Sequence, residues 1–110
     1  DRKYRQSLQE WNMVEILRRA GNLVEPEVKV DNELHPKYPF RVDYVINQEV
    51  AVEIQGIGFG HHSFGAIQKT YRKHNAIAAK GWLLLQITRA DIASGDALEV
   101  LSRVGVKVQA

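Results

Sequence analysis

Two carboxylates in one short stretch, Asp43 and Glu53, are the residues best spaced to do chemistry together. They lie in Phe40 to Gly56, FRVDYVINQEVAVEIQG, where apolar residues alternate with others in two short runs. A period of two is that of a strand with two different faces. The spacing predicts a hairpin connected at Asn47-Gln48-Glu49. Phe40, Val42, Tyr44 and Ile46 share one face of the first strand, and Val50, Val52 and Ile54 one face of the second. Burying both sets together sets the register, because a slip of one residue turns a strand over. Ile46 then faces Val50, Tyr44 faces Val52 and Val42 faces Ile54, while the other face sets Asp43 beside Glu53 and Arg41 beside Gln55. Cross-strand carboxylates repel and weaken a hairpin. A bound divalent cation would offset that, since hard cations take carboxylate oxygens. The plainer alternative is a solvated face with both acids in water.

Other chemistry-bearing residues surround this pair. Projected at 3.6 residues per turn, Glu10 falls between Val14 and Leu17, on the apolar side of an N-terminal helix, where a carboxylate needs a partner. Ser7-Leu8-Gln9-Glu10 also matches a capping box, which would give Glu10 a purely structural task. Glu15 is a second candidate of similar standing. The segment GIGFGHHSFG, Gly56 to Gly65, has glycines at 56, 58 and 60, but His61 breaks the GxGxxG spacing, so no nucleotide cofactor is expected. His61 and His62 could meet a phosphate or assist proton transfer, because histidine titrates near neutrality. Lys69, Lys73 and Lys80 fall on one stripe of a later helix with Arg72 beside it, and no acid lies between Gly56 and Arg89. A stripe without intrahelical partners suits phosphate backbones; a solvated helix face is the ordinary reading of such charges.

The elements that must position these residues fit one domain spanning residues 1–110, since a chain this short builds one core and not two. Hydrophobic residues make up 45% and charged residues 25%, ordinary for a globular chain, and the formal net charge is +2, so a nucleic-acid surface must come from clustering. No run is apolar enough to cross a bilayer, no signal-peptide pattern opens the chain and there is no cysteine, which together fit a cytoplasmic protein without membrane partners. The chain does not begin with Met, which points to trimming.

In order, the pattern predicts a helix over 2–20 closed by Gly21, with Tyr4, Leu8, Trp11 and Val14 in one stripe widened by Met13, Leu17 and Ala20. A turn-rich stretch over 22–39 follows, with a short strand at Val28 to Val30, and Pro39 suits the start of the hairpin. Residues 66–80 read as a helix ended by Gly81, with Ile67, Tyr71, Ile77 and Ala78 toward the core. WLLLQIT, Trp82 to Thr88, reads as an interior strand covered on both faces and parallel to the second hairpin strand through a right-handed crossover. Thr88-Arg89-Ala90-Asp91 turns into a short helical piece. Asp96 caps a last helix over 97–103 with Leu98 and Leu101 inward, and an alternating tail, 104–110, reads as an edge strand.

R-V-D-Y, the spacing from Asp43 to Glu53, and E-I-Q together resemble the PD-(D/E)XK nuclease superfamily. The downstream patterns H-H-S-x-G, K-x-N-A and K-G-W-x-L-L-x-I-T are similar to its compact phage and bacterial branch, so the likeness runs from Glu10 to Thr88. Val42 stands where the motif has proline, and Gln55 where it usually has lysine. The resemblance implies an α/β, restriction-endonuclease-like core, a small mixed sheet of a three-strand meander plus a crossover strand flanked by helices. It implies that Asp43, Glu53 and Glu10 ligate Mg2+, with Mn2+ able to substitute, and that the Gln55 side chain or the Ile54 carbonyl completes the site. Gln55 could orient the attacking water but cannot act as a cation; Lys73 or Lys69 is the candidate for the missing charge. Arg2, Lys3, Arg5, Lys69, Arg72 and Lys73 would hold the DNA backbone.

Size and the helix carboxylate are similar to archaeal-type Holliday junction resolvases, single small domains that cut four-way junctions as two-fold dimers. The expectation is therefore a Mg2+-dependent endonuclease acting on branched DNA as a homodimer, with Trp11, Phe59, Phe64 or the last helix available for dimerisation. The alternatives are a nicking, mismatch or restriction-like enzyme of the same fold, an inactive relative that only binds DNA or protein, and a scaffold with an accidental acidic pair.

Overall fold

The computed structural model describes residues 8–55 and 64–109. Its elements run α1 (Leu8–Arg19), β1 (Val24–Val30), β2 (Phe40–Ile46), β3 (Val50–Gln55), α2 (Phe64–Ala79), β4 (Leu83–Thr88), α3 (Arg89–Ser94) and α4 (Asp96–Arg103). The strands form one mixed sheet in the order β1-β2-β3-β4. The first three make an antiparallel meander, and β4 returns through α2 to lie parallel to β3. The protein is thus α/β, with a four-stranded sheet flanked by helices. No helix among the described residues is long and apolar enough to cross a membrane.

The hairpin register follows the hydrophobic alternation: Ile46 pairs with Val50 and Tyr44 with Val52. Its turn closes through the Glu49 N–H to the Ile46 carbonyl, 3.1 Å, with Asn47 and Gln48 both at positive φ, 54° and 56°. Asn tolerates that region because its short side chain bonds locally. Here the Asn47 side chain accepts from the Leu23 N–H at 2.9 Å and donates to Asn22 Oδ1 at 2.9 Å, tying the turn to the α1–β1 connection.

Two hydrophobic layers cover the sheet. On one side α1 and α4 bring Met13, Val14, Leu17, Ala97 and Leu101 onto Tyr44, Ile46, Val50, Val52 and Ile87. On the other side α2 brings Ile77 onto Val30, Val42, Val45 and Ala51. Val42 therefore does not share a face with Tyr44, as simple alternation predicts. The alternation breaks opposite Asp43: Pro26 pairs with Tyr44 and Val28 with Val42, while Glu27 takes a positive φ of 46°. A left-handed residue inside a strand turns the following side chains to the other face, so Val24 packs on the α1 side and Val28 and Val30 on the α2 side. The sheet is re-aimed just where the candidate carboxylate leaves it.

Several expectations change in the structure. β4 is an edge strand and not an interior one: its outer side pairs with no described strand, and Leu83 is 47% exposed. Its apolar run arises because Leu84 serves one layer and Leu85 and Ile87 the other. α2 is rotated from the predicted setting. Ile77 is buried as expected, with Ala76 beside it, whereas Ile67, Tyr71 and Ala78 face out. Leu8 and Trp11 are likewise exposed, and α1 buries Glu10, Met13, Val14 and Leu17. β1 is longer than expected and passes through Pro26, which an edge strand tolerates because its missing N–H has an unpaired side to face. Gly95, not Asp96, holds the N-cap position of α4, while Thr88 and Asp91 form a capping box that starts α3. The tail after α4 is irregular but anchored, with Val106 buried and the Lys107 carbonyl accepting from the Asn22 side chain at 2.7 Å.

Candidate active site

The last ladder pair between β2 and β3 is Tyr44–Val52. Beyond it the strands part, and the Asp43 side chain fills the gap. Its Oδ2 accepts the Ile54 N–H at 2.7 Å, replacing the main-chain bond that a continuing ladder would have made. The half-buried Asp43 carboxylate therefore sits one residue along β3 from Glu53, held by main chain and not by a flexible partner. A carboxylate fixed by a backbone N–H loses little freedom on taking a second partner.

Glu53 is also half-buried, and its Oε1 meets Lys73 Nζ at 2.7 Å, with the side chains 13% and 25% exposed. Lys73 comes from the middle of α2. Its ammonium lies 5.6 Å from the centre of the Phe40 ring, so the cation is bracketed by an aromatic face and a carboxylate. The α2 rotation that leaves Ile67 and Tyr71 outside is what turns Lys73 inward. Gln55 ends β3 beside Thr88 of β4 and is exposed.

Glu10 lies elsewhere. It is fully buried, and Tyr44 donates its hydroxyl to Glu10 Oε2 at 2.6 Å. Tyr44 carries it on the α1 side of the sheet, whereas Lys73 reaches Glu53 from the α2 side. Among the described residues, no three His, Cys, Asp or Glu side chains gather as a metal-ligand group. Glu15 pairs with Arg19 on the helix surface at 3.8 Å, leaving Glu10 as the buried carboxylate of α1. That Glu10 needs a partner was legible from its place on the apolar side of α1; that the partner is Tyr44 appears only in the packing.

A cation would find suitable donors here. Each carboxylate spends one oxygen on a fixed donor, Ile54 N–H or Lys73, and has a second oxygen with no bond to another described residue. Magnesium typically uses one or two carboxylates and fills its remaining positions with water and substrate phosphate, so a two-carboxylate site fits it without a third protein acid.

Lys69, Arg72 and Lys73 of α2 line a concave surface together with Lys37, Tyr38, Pro39 and Phe40, beside the Glu53–Lys73 contact. Sequence reading found the helix cations but not the loop residues that complete the hollow. Lys37 and Tyr38 stood in a proline-bracketed stretch with no periodic signal. Arg2, Lys3, Arg5, His61, His62 and Phe59 lie outside the described residues. Comparison with family models, curated proteins and solved structures finds no match for this chain.

Proposed function

We propose that the protein is a magnesium-dependent DNA endonuclease with a restriction-endonuclease-like core, acting on branched DNA such as a four-way junction as a two-fold dimer. The observation that carries this reading is the main-chain-anchored Asp43 beside a Glu53 already engaged by a cation from α2. Asp43 and Glu53 hold the metal, with the Ile54 carbonyl or Gln55 side chain as a further donor. The ion supplies an activated water and neutralises charge growing on the phosphate. Ile54 keeps Asp43 oriented through its N–H. Lys73 supplies the positive charge that residue 55 lacks, standing where a phosphate oxygen approaching Glu53 gains an ammonium partner. Gln55 accepts or donates a hydrogen bond to the attacking water and so orients it. Lys69 and Arg72 bind the flanking backbone through charge, which reads shape and not sequence.

The same Glu53–Lys73 contact favours a second reading, a DNA-binding relative in which the lysine takes the place of the metal and no cutting occurs. Incubating the protein with a four-way junction and with linear duplex, each with and without Mg2+, separates the two. The enzyme reading expects cutting that needs Mg2+ and favours the junction, abolished in Asp43→Asn and in Glu53→Gln while binding survives. Undiminished cutting by either variant, or none by the native chain, overturns it.

A further inference from the structure

The hollow beside the candidate site has about 370 Å³ of space, within the range of small-molecule sites. Its walls are the β1–β2 loop and one face of α2, and its chemistry is uneven. Lys37, Lys69, Arg72 and Lys73 line it, with no carboxylate among the lining residues. Lys73 is spoken for by Glu53, while Lys37, Lys69 and Arg72 have no acidic partner among the described residues. Tyr38 lines the hollow with these cations and is 51% exposed although it is a large aromatic side chain in a concave place.

The loop that presents this ring is built, not loose. Asn32 is 3% exposed and bonds both ways inside the loop: its Oδ1 accepts from the His35 N–H at 3.0 Å, and its Nδ2 donates to the Tyr38 carbonyl at 3.3 Å. The Tyr38 N–H in turn donates to the His35 carbonyl at 2.9 Å. A buried asparagine holding the main chain at the aromatic residue fixes that ring's anchor before any ligand arrives. Three cations without acidic partners call for an anion, and an open aromatic ring among them calls for a flat apolar group attached to that anion. A nucleotide whose base is not paired has both.

We infer that this hollow takes one unpaired nucleotide of a single-stranded nucleic acid, with its base against the Tyr38 ring and its phosphate among Lys37, Lys69 and Arg72. The binding does not depend on hydrolysis: it needs neither a metal nor the Asp43–Glu53 pair, so it can hold or fail independently of the endonuclease reading.

The test is fluorescence anisotropy in EDTA, using the whole chain with labelled oligothymidylate, oligouridylate, and an abasic deoxyribose-phosphate oligomer of equal length and charge. Either base-bearing probe is expected to bind tighter than the abasic one by roughly 5- to 150-fold, the worth of one stacked base. Tyr38→Ala should bring the base-bearing probes down to the abasic affinity, and Tyr38→Phe should keep the preference. Lys37→Ala and Lys69→Ala should weaken all probes alike and flatten the salt dependence by about 0.7 per cation removed. Thermal melting checks that each variant folds, and Tyr38→Leu replaces the alanine variant if it does not. Equal affinity for base-bearing and abasic probes overturns the inference, as does a Tyr38→Ala variant, or its Leu replacement, that retains the base preference.

Discussion

On the proposed reading Lys73 and a metal ion share Glu53, and that competition can be measured without any activity assay. The ammonium is 2.7 Å from Glu53 Oε1, and neither side chain is freely solvated. Exposed pairs contribute about 0.2–1 kcal/mol, while removing one partner of a fully buried pair costs about 3–5 kcal/mol. This pair lies between those limits, so Lys73→Met should cost about 1–3 kcal/mol in EDTA. Methionine is chosen because it keeps an unbranched apolar stem over Phe40, so the loss reports charge more than packing. In a domain of this size about 1 kcal/mol moves the melting temperature by roughly 4 °C, giving an expected drop of about 4–12 °C.

Magnesium should then narrow the gap. In the native chain the cation must displace or share with an ammonium; in Lys73→Met it meets two carboxylates and no rival charge. A tenfold gain in affinity would add about 1.4 kcal/mol of stabilisation at saturating metal, since ligand binding to the folded state stabilises by RT ln(1 + [L]/Kd). The melting temperature of Lys73→Met should therefore rise with Mg2+ by about 5 °C more than that of the native chain. Melting curves by circular dichroism across a Mg2+ titration give both numbers. An equal response in the two proteins, or no response in either, refutes the claim that lysine and metal share Glu53.

The buried Glu10–Tyr44 contact gives a second expectation: Tyr44→Phe leaves a buried acceptor without this donor and should cost about 1–3 kcal/mol in denaturant unfolding. Glu10→Gln, which keeps an acceptor for the tyrosine, should cost less and leave DNA cutting within a few-fold of native; loss of cutting comparable to Asp43→Asn would return Glu10 to the metal site. Glu27 holds a positive φ of 46° inside β1, so Glu27→Gly should be neutral or stabilise by up to about 1 kcal/mol, whereas Glu27→Val should destabilise by more than 1 kcal/mol. Equal melting temperatures for those two variants would mean that the strand relaxes and stores no strain there.

The hairpin was legible because alternation in Tyr44–Ile46 and Val50–Val52 leaves one register that buries both strands. Glu10 was legible as a buried carboxylate because helical periodicity placed it between Val14 and Leu17, and all three are buried. The parallel return of β4 followed from element order, since a strand that comes back through a helix has one favoured hand. Other features had no local signal. The face switch at Glu27 is set by a glutamate in a conformation that favours glycine, which composition does not announce. The exposure of Leu83 depends on β4 being last in the sheet, a fact about its missing neighbour and not about its own residues.

One misreading and one feature of the site have the same cause. Counting apolar residues on α2 turns Ile67, Tyr71, Ile77 and Ala78 toward the sheet. The protein buries Ile77 as expected but adds Ala76 and leaves Tyr71 62% exposed. Leaving Tyr71 largely in water and Ile67 37% exposed forgoes part of the roughly 1.5–3 kcal/mol that full burial of a large apolar side chain is worth. The opposite face recovers part of it, because the Lys73 ammonium stands over the Phe40 ring and reaches Glu53. A helix chosen for core packing alone would sit the other way round. Its observed rotation makes sense if the ammonium is needed beside the β2–β3 carboxylates, where Gln55 at the exposed end of β3 provides no charge.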